Sequence, residues 1–319
     1  MKRYLLPLMI LGLLSCEKRE IPVKKPATSA NIVSVAMGGD YGNQLFFSLS
    51  ERKIISQNHR EKWDLGFESG ADGFHVILNS SKMMGVYKTN QTSLSAVTSA
   101  VDVSWYWDMP SGHLDSTVIG NWRTHQNVYI VDRGVGVAAS NLGKVKMKIL
   151  SVNDNEYVIE WAELSSSTST VSTVTKNSQG SFTYFSFNEG GKTLIIEPPK
   201  ATWDLCFTTY THVYPDHMPY LVTGVLSNRY GVKVSPISKS FESIAYTDYV
   251  SATFPNRINT IGFDWKVYDF DLSIYTVDMN KSFLIETAEG RIFKLHFLDF
   301  YDETGAKGAP SMELQELIP

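Results

Sequence analysis

FFSL at residues 46–49 and WDLGFE at residues 63–68 form the stretch that decides the fold, because both motifs recur once in the chain. The second copies read YFSF at residues 184–187 and WDLCFT at residues 203–208. In each copy Trp, Leu and Phe alternate with small or polar residues, which is the two-residue period of a β-strand. The pattern predicts half-buried strands with the Trp, Leu and Phe side chains on one face.

Landmarks elsewhere recur in the same order, with a separation that grows from 138 to 146 residues along the chain. The paired landmarks are Phe47 and Phe185, Trp63 and Trp203, Ile119–Gly120 and Ile261–Gly262, Trp122 and Trp265, and Val131–Asp132 and Val277–Asp278. A slowly growing separation is what an internal duplication with loop-sized insertions leaves. We therefore predict two sequence-similar β-rich halves, residues 31–164 and 181–319.

The segments between the landmarks favour antiparallel strands. Turn sequences at residues 188–191 and 288–290 each separate two apolar stretches, as in a β-hairpin. Residues 165–180 are dominated by Ser and Thr and fit either a linker between the halves or a Thr-rich edge hairpin. No helical pattern longer than about a dozen residues occurs. The predicted fold is all-β, with antiparallel sheets and at most a short helix.

The amino end has the features of an export signal. Lys2 and Arg3 precede an apolar run that ends in Leu-Leu-Ser-Cys, with the cysteine at position 16. The run is shorter than the ~20 residues that a membrane-spanning helix needs. We predict a lipoprotein signal peptide over residues 1–15, lipidation of Cys16 and a flexible tether over residues 16–30. The alternative is an ordinary secretory signal with an incidental cysteine.

Charge, cysteine content and motifs limit the function classes. The formal net charge is −4 and no long basic block occurs, so nucleic acid is not a predicted partner. Cys206 takes the position of Gly66 in the first copy, which indicates a small buried thiol more than a nucleophile. The chain has no Gly-x-Ser-x-Gly, His-Glu-x-x-His or phosphate-binding glycine motif. We therefore predict that the protein is not an enzyme.

An ordered set of elements in the second half resembles the HmuY-like lipoproteins of Bacteroidetes. The set comprises Tyr184–Phe187, the Gly-Gly-Lys turn at residues 190–192, Trp203–Leu205, a strand ending near Gly224, and Ala288–Phe297 before Tyr301. The resemblance covers about residues 180–319 well and the first half through the internal repeat. It implies an all-β protein that is anchored to the membrane or shed from it. The best-studied type binds haem through two axial histidines and acts beside a TonB-dependent receptor.

The axial pair of the family does not occur where the resemblance places it. Residues 224–275 contain neither histidine nor methionine. Haem iron also accepts tyrosinate, so Tyr246, Tyr249 or Tyr268 could serve there.

The first half offers another pair of imidazoles. His113 follows a Pro-Ser-Gly turn, and His125 lies just after Trp122, in the repeat's counterpart of the expected ligand segment. Two imidazoles on opposed loops could hold haem iron from both sides. His113 and His125 are therefore candidate haem ligands, and the alternative is two solvated loop histidines.

A third group of candidates lies within one predicted turn. Residues 211–218 contain His212, His217 and Met218 together with Asp216. Imidazole and thioether are haem ligands, and imidazole with carboxylate also suits Zn²⁺ or Cu²⁺. The alternative is that a Pro-Asp turn attracts polar residues for purely local reasons.

The sequence thus predicts a lipid-anchored outer-membrane protein that captures haem or a related ligand for a TonB-dependent receptor. The first alternative is a family member without haem binding that acts as a surface adaptor. The second is a protein that binds another ligand such as a carbohydrate, since the many tryptophans and tyrosines stack on sugars as readily as they fill cores.

Overall fold

A computed structural model describes residues 31–319, in which twenty β-strands account for the regular structure together with one α-helix and short 3₁₀ turns. The strands are β1 (Asn31–Ser34), β2 (Asn43–Ser48), β3 (Lys53–His59), β4 (Leu65–Glu68), β5 (Val76–Leu78), β6 (Gly85–Lys88), β7 (Tyr129–Asp132), β8 (Lys144–Val152), β9 (Glu156–Glu163), β10 (Thr170–Thr175), β11 (Phe182–Ser186), β12 (Lys192–Leu194), β13 (Leu205–Val213), β14 (Pro219–Ser227), β15 (Lys233–Ile237), β16 (Lys266–Asp269), β17 (Ile274–Val277), β18 (Ser282–Glu286), β19 (Ile292–Tyr301) and β20 (Lys307–Leu317). The α-helix is α1 (Tyr246–Val250). The 3₁₀ turns are Arg60–Lys62, Ser80–Lys82, Leu94–Ala96, Leu114–Ser116, Trp122–Thr124, Asn188–Gly190 and Phe241–Ser243.

The strands form four larger sheets and one separate hairpin. Sheet I has the order β1-β20-β19-β18-β15, sheet II β10-β9-β8-β7-β6, sheet III β12-β11-β4-β5 and sheet IV β14-β13-β2-β3, while β16 pairs only with β17. The strand pairs are antiparallel, so the prediction of an all-β antiparallel fold with at most a short helix is confirmed. The Ser/Thr-rich segment contributes β10, an edge strand of sheet II.

The aromatic and Trp-Asp-Leu strands pair across the two halves of the chain. Phe185 of β11 stands opposite Leu65 of β4, and Phe47 of β2 stands opposite Leu205 of β13. Each Trp-Asp-Leu strand therefore pairs with the aromatic strand of the other half. Because sheets III and IV each take strands from both halves, neither sheet is complete within residues 31–164 or 181–319.

The repeated aspartates fix these cross-pairings in the same way. The Asp64 carboxylate accepts the backbone N–H of Phe187 at 2.8 Å, and the Asp204 carboxylate accepts that of Leu49 at 2.8 Å. Phe187 and Leu49 hold equivalent places in the repeated phrase. Each carboxylate therefore satisfies a buried donor just beyond the end of the paired strand.

The last landmark pair of the repeat is not structurally equivalent. Val131 lies in β7, between β6 and β8 of sheet II, whereas Val277 ends β17, whose partner is β16. In sheet I the corresponding place, between β15 and β19, belongs to β18. The match fails because the second half carries the β16–β17 hairpin before that strand. Internal duplication of the chain stays a prediction.

Burial corrects the prediction that each phrase forms a half-buried strand with Trp, Leu and Phe on one face. Leu65 and Phe67 pack in the core between sheets II and III, but Trp63 packs in a different core, between sheets III and IV. The Asp64 side chain is also fully buried. The prediction is wrong because the strand begins only at Leu65 and because other sheets cover both of its faces.

Three hydrophobic cores each lie between two of the sheets, which are stacked as layers. The first core joins sheets I and IV, the second joins sheets II and III, and the third lies where sheets III and IV face each other. The third core contains Phe46, Trp63, Phe182, Tyr184, Ile196, Trp203 and Cys206. Cys206 is buried in this core and burial raises its pKa, as expected for a small structural thiol.

Gly224 permits a close approach between β14 and the segment that leads into β16. A Cβ atom at Gly224 would lie 2.3 Å from the carbonyl oxygen of Gly262, and the N–H of Val225 donates to that oxygen at 2.9 Å. Gly224→Ala is expected to destabilise the protein by about 1–3 kcal/mol, the usual cost of overpacking, measured by urea unfolding. Gly39→Ala is the control, since its added Cβ would meet nothing closer than 3.8 Å. Equal unfolding midpoints for the two variants would show that the approach is not tight.

Candidate functional site

The β13–β14 hairpin ends in a tight turn that projects from the sheet. The N–H of Tyr214 donates to the Met218 carbonyl at 3.0 Å, and the N–H of His217 donates to the Tyr214 carbonyl at 2.8 Å. His217 has φ 64°, a left-handed backbone conformation that is uncommon for residues other than glycine. His217 and Met218 are both exposed at the tip, and 61% of Met218 is accessible.

His212 lies on the same hairpin, below the tip. Its ring contacts the rings of Tyr214 and Phe263 at centroid distances of 4.7 and 5.1 Å. Its Nδ1 atom is buried and has no hydrogen-bond partner within residues 31–319. A buried imidazole nitrogen without a partner is uncommon in folded proteins, and functional sites are one place where such groups are retained.

The β16–β17 hairpin exposes apolar side chains along its length. Asp269 stabilises the turn, since its carboxylate accepts the N–H groups of Asp271 and Leu272 at 2.9 Å each. Phe270 at the turn is 85% accessible, and Val267 and Leu272 are also exposed. Neighbouring exposed apolar residues of this kind mark interaction sites on soluble proteins.

The two hairpins are joined at their bases. The Lys266 ammonium of β16 donates to the Thr223 carbonyl of β14 at 2.6 Å. Burial lowers the pKa of Lys266 to about 7, and its ammonium lies 4.4 Å from the ring centre of Trp265. We call the part of the two hairpins that carries His212, Tyr214, His217, Met218, Tyr220, Tyr268, Phe270 and Leu272 the two-hairpin face.

Tyrosines of both hairpins lie close enough to one another to influence a pKa. The pKa of Tyr275 on β17 is raised by burial and then by the neighbouring Tyr220 on β14 and Tyr268 on β16. The rings of Tyr268 and Tyr275 lie 5.0 Å apart, and Tyr268 contacts Phe270 at 5.1 Å. The face therefore combines imidazole, thioether and phenol groups with an apolar surface.

The first-half candidates lie elsewhere, in separate surroundings. His113 is exposed before the Leu114–Ser116 turn and lines a surface depression with Arg229 and Phe254. His125 is exposed after the Trp122–Thr124 turn, where its ring nitrogens lie 3.2 and 3.4 Å from the Thr124 hydroxyl. Of the five predicted ligand residues, the structure thus brings together His212, His217 and Met218 on one hairpin.

The apolar residues of the face were not predicted from the sequence, where Tyr268 is the single candidate from that region. The available signal was the alternation of Tyr268, Phe270 and Leu272 with Asp269 and Asp271. Alternation predicts a strand with one apolar side, and only the pairing of β16 with β17 alone leaves that side uncovered.

Two kinds of feature do not occur in the described part of the chain. Residues 31–319 contain no group of three or more His, Cys, Asp or Glu side chains arranged to hold a metal ion. Their one α-helix has five residues, and none of their helices meets the length and hydropathy that a bilayer-spanning segment requires.

Residues 31–319 thus form an antiparallel all-β protein with exposed apolar side chains on the β16–β17 hairpin. The family whose sequence model matches the chain, over residues 40–314, is described as HmuY protein. The chain belongs to this family, as its resemblance to HmuY-like lipoproteins predicted. No curated protein sequence matches the chain.

Several solved structures align with most of the chain at low similarity. Apo PinO from Porphyromonas gingivitis is 11% identical, with a TM-score of 0.35, covering 92% of this chain and 100% of PinO. The apo HmuY analog of Tannerella forsythia is 8% identical, with a TM-score of 0.26, covering 92% and 99%. A Bacteroides vulgatus protein described as HmuY-like and haem-binding is 10% identical, with a TM-score of 0.25, covering 90% and 94%. The family assignment itself depends on the match over residues 40–314.

Proposed function

We propose that this HmuY-family protein captures haem, or a similarly planar apolar ligand, at the two-hairpin face and passes it to an outer-membrane TonB-dependent receptor. Lipidation of Cys16, with residues 16–30 as a tether, would hold the protein at the outer membrane. The signal peptide, Cys16 and the tether lie outside the described residues. The observation that carries the haem proposal is that His212, His217 and Met218 share a hairpin that contacts the exposed β16–β17 hairpin through Thr223 and Lys266.

The donor set of the face suits haem iron. Imidazole nitrogen and thioether sulfur are both axial ligands of haem iron in proteins. His217 and Met218 are exposed at the tip and need no rearrangement of the core to reach a ligand. The partnerless Nδ1 of His212 is a further group in the same hairpin that a ligand could satisfy.

The apolar surface and the charges of the two-hairpin face suit the porphyrin and the propionates of haem. Phe270 and Leu272 offer apolar surface for a porphyrin, and burying such surface stabilises a complex by roughly 25 cal/mol per Å². Asp216 and Asp271 stand at the two hairpin turns. Because these carboxylates repel other anions, a bound haem is expected to leave its propionates in the solvent.

A second candidate function is docking of a partner protein without haem. The exposure of Phe270 favours it, since large apolar side chains at the centre of an interface supply much of the binding energy. In this case the protein is a surface adaptor of the same family. Carbohydrate binding is a weaker alternative, supported by the exposed rings of Tyr214 and Tyr220.

A haemin titration of the purified protein, followed by absorbance, tests the proposal. The wild type is expected to show a saturable one-to-one Soret change. The pair His217→Ala/Met218→Ala is expected to weaken it at least about tenfold, since it removes exposed iron ligands without opening the core. The matched control is His113→Ala/His125→Ala, which removes two exposed side chains from other loops.

Each result of the titration has a defined meaning. Loss of the Soret change in the control pair alone would move the haem site to the His113 and His125 loops. A wild-type titration that matches free haemin at every step would contradict haem binding and leave the adaptor function.

A further inference from the structure

A cavity of about 130 Å³ lies where sheets III and IV face each other. Its walls include the aromatic residues Phe46, Trp63, Phe182, Tyr184 and Trp203. The volume is close to the roughly 150 Å³ that accommodates benzene in a protein interior. None of His212, His217 and Met218 lines this cavity, which is therefore separate from the two-hairpin face.

The two repeated tryptophans in the cavity wall differ in how their indole N–H groups are satisfied. The Trp63 indole donates to the Gln44 side-chain oxygen at 2.8 Å. The residue equivalent to Gln44 in the second copy is Phe182, which has no acceptor. Trp203 also lines the cavity, is only 8% accessible, and its Nε1 is buried without a hydrogen-bond partner within residues 31–319. The repeat thus leaves one buried donor unsatisfied on a residue that lines the cavity.

A buried carboxyl group lies in the same wall. Glu197 is 5% accessible, accepts the N–H of Phe182 at 2.8 Å and is hydrogen-bonded to the Tyr184 hydroxyl. An ionised carboxylate in this position is expensive to bury, and a ligand hydroxyl that donates to it would offset part of that cost. The wall therefore offers a donor from Trp203 and an acceptor from Glu197.

Loops that are joined by polar hydrogen bonds cover one side of the cavity. The Arg229 guanidinium donates to the Gly112 carbonyl, and the N–H of Ile258 donates to the Ser111 carbonyl at 2.9 Å. These residues belong to three loops, which also line the cavity at Gly112, Arg229 and Ile258. A small molecule can enter when these loops part, without separating sheets III and IV.

We infer that the cavity binds a small neutral aromatic alcohol of the phenol class. One aromatic ring matches the volume and the aromatic walls. A hydroxyl group can accept a hydrogen bond from the Trp203 indole and also donate one to a carboxylate such as Glu197. Benzene shares the ring but can make neither hydrogen bond, which makes it the matched probe.

Calorimetric titration with phenol and with benzene tests the inference. The wild type is expected to bind one phenol, more tightly than benzene. Trp203→Phe removes the open donor and is expected to weaken phenol binding about three- to tenfold while changing benzene binding less than about twofold. Trp122→Phe is the control, because its indole already donates to the Phe74 carbonyl outside the cavity. This control should leave both affinities unchanged.

A second readout avoids any dependence on the folding of Trp203→Phe. In the wild type, the indole N–H resonance of Trp203 is expected to shift on addition of phenol and not on addition of benzene. Absence of phenol binding, or equal affinities with no selective shift, would overturn the inference. Phenol binding should persist in His217→Ala/Met218→Ala, so failure of the haem proposal is distinguishable from failure here.

Discussion

Asp64→Asn is expected to lower the free energy of unfolding by about 3–5 kcal/mol, while the same substitution at the equivalent Asp204 raises it by about 1–2 kcal/mol at pH 8. The two aspartates occupy the same place in the repeated phrase and accept equivalent backbone N–H groups. Their opposite responses follow from the charges around them.

Asp64 is the centre of a buried ionic cluster. Its carboxylate accepts from the Lys82 ammonium and, at 3.1 Å each, from the Arg133 Nε and a terminal nitrogen of the same guanidinium. Burial disfavours the Asp64 charge, but Lys82 and Arg133 outweigh it, and the pKa of Asp64 lies below its usual value. Because Lys82 is fully buried, the neutral Asn would leave an uncompensated ammonium in the core.

Within residues 31–319, no comparable pair of cations contacts Asp204. Burial raises its pKa to about 6, with the Leu49 N–H and the more distant Arg291 opposing that effect. At pH 8 the carboxylate is ionised in a largely buried place, which costs free energy that an Asn avoids. Asn can still accept the Leu49 N–H, so the hydrogen bond is retained. Urea unfolding of both variants at pH 8 measures the contrast, and equal destabilisation of the two would contradict it.

Glu197→Gln is expected to remove a pH dependence of stability worth roughly 3 kcal/mol between pH 5 and pH 8.5. Burial raises the pKa of Glu197 to about 7. The folded protein therefore holds the proton more tightly than the unfolded chain does. The resulting stabilisation is complete below the unfolded-state pKa and is lost as the pH rises through about 7.

Urea unfolding at several pH values compares wild type, Glu197→Gln and the exposed Glu163→Gln. The glutamine side chain in Glu197→Gln can still accept the Phe182 N–H but cannot ionise. The wild type and Glu163→Gln should lose stability together as the pH rises, and Glu197→Gln should lose less. Asp108, whose pKa burial raises to about 6, contributes equally to all three proteins. Identical slopes for the three would show that Glu197 does not titrate near neutral pH.

Local features of the structure were predictable from the sequence, because alternation and turn residues act over a few positions. The all-β class and the hairpins at residues 182–194 and 282–301 follow from such patterns. The grouping of His212, His217 and Met218 was visible for the same reason, since they lie within seven residues of one another, although the prediction that one turn holds all three is wrong because His212 lies in β13.

Long-range features were not predictable, because one sequence does not show which strands pair. The contact of Asp64 with Arg133 spans 69 residues, and the pairing of β2 with β13 crosses the two halves. The alternation at residues 267–272 shows an apolar side but not that it stays uncovered. The open Trp203 donor becomes visible only when Gln44 is seen to satisfy Trp63.

Methyl NMR of the methionines during a haemin titration tests the location of the ligand site most directly, without a substitution. Met218 reports on the two-hairpin face, and the exposed Met109 reports on the loop that precedes His113. The buried Met147 and Met312 serve as internal references. The account predicts that iron in bound haem shifts or broadens the Met218 methyl signal and leaves the other three unchanged. An unchanged Met218 signal at saturating haemin would contradict it.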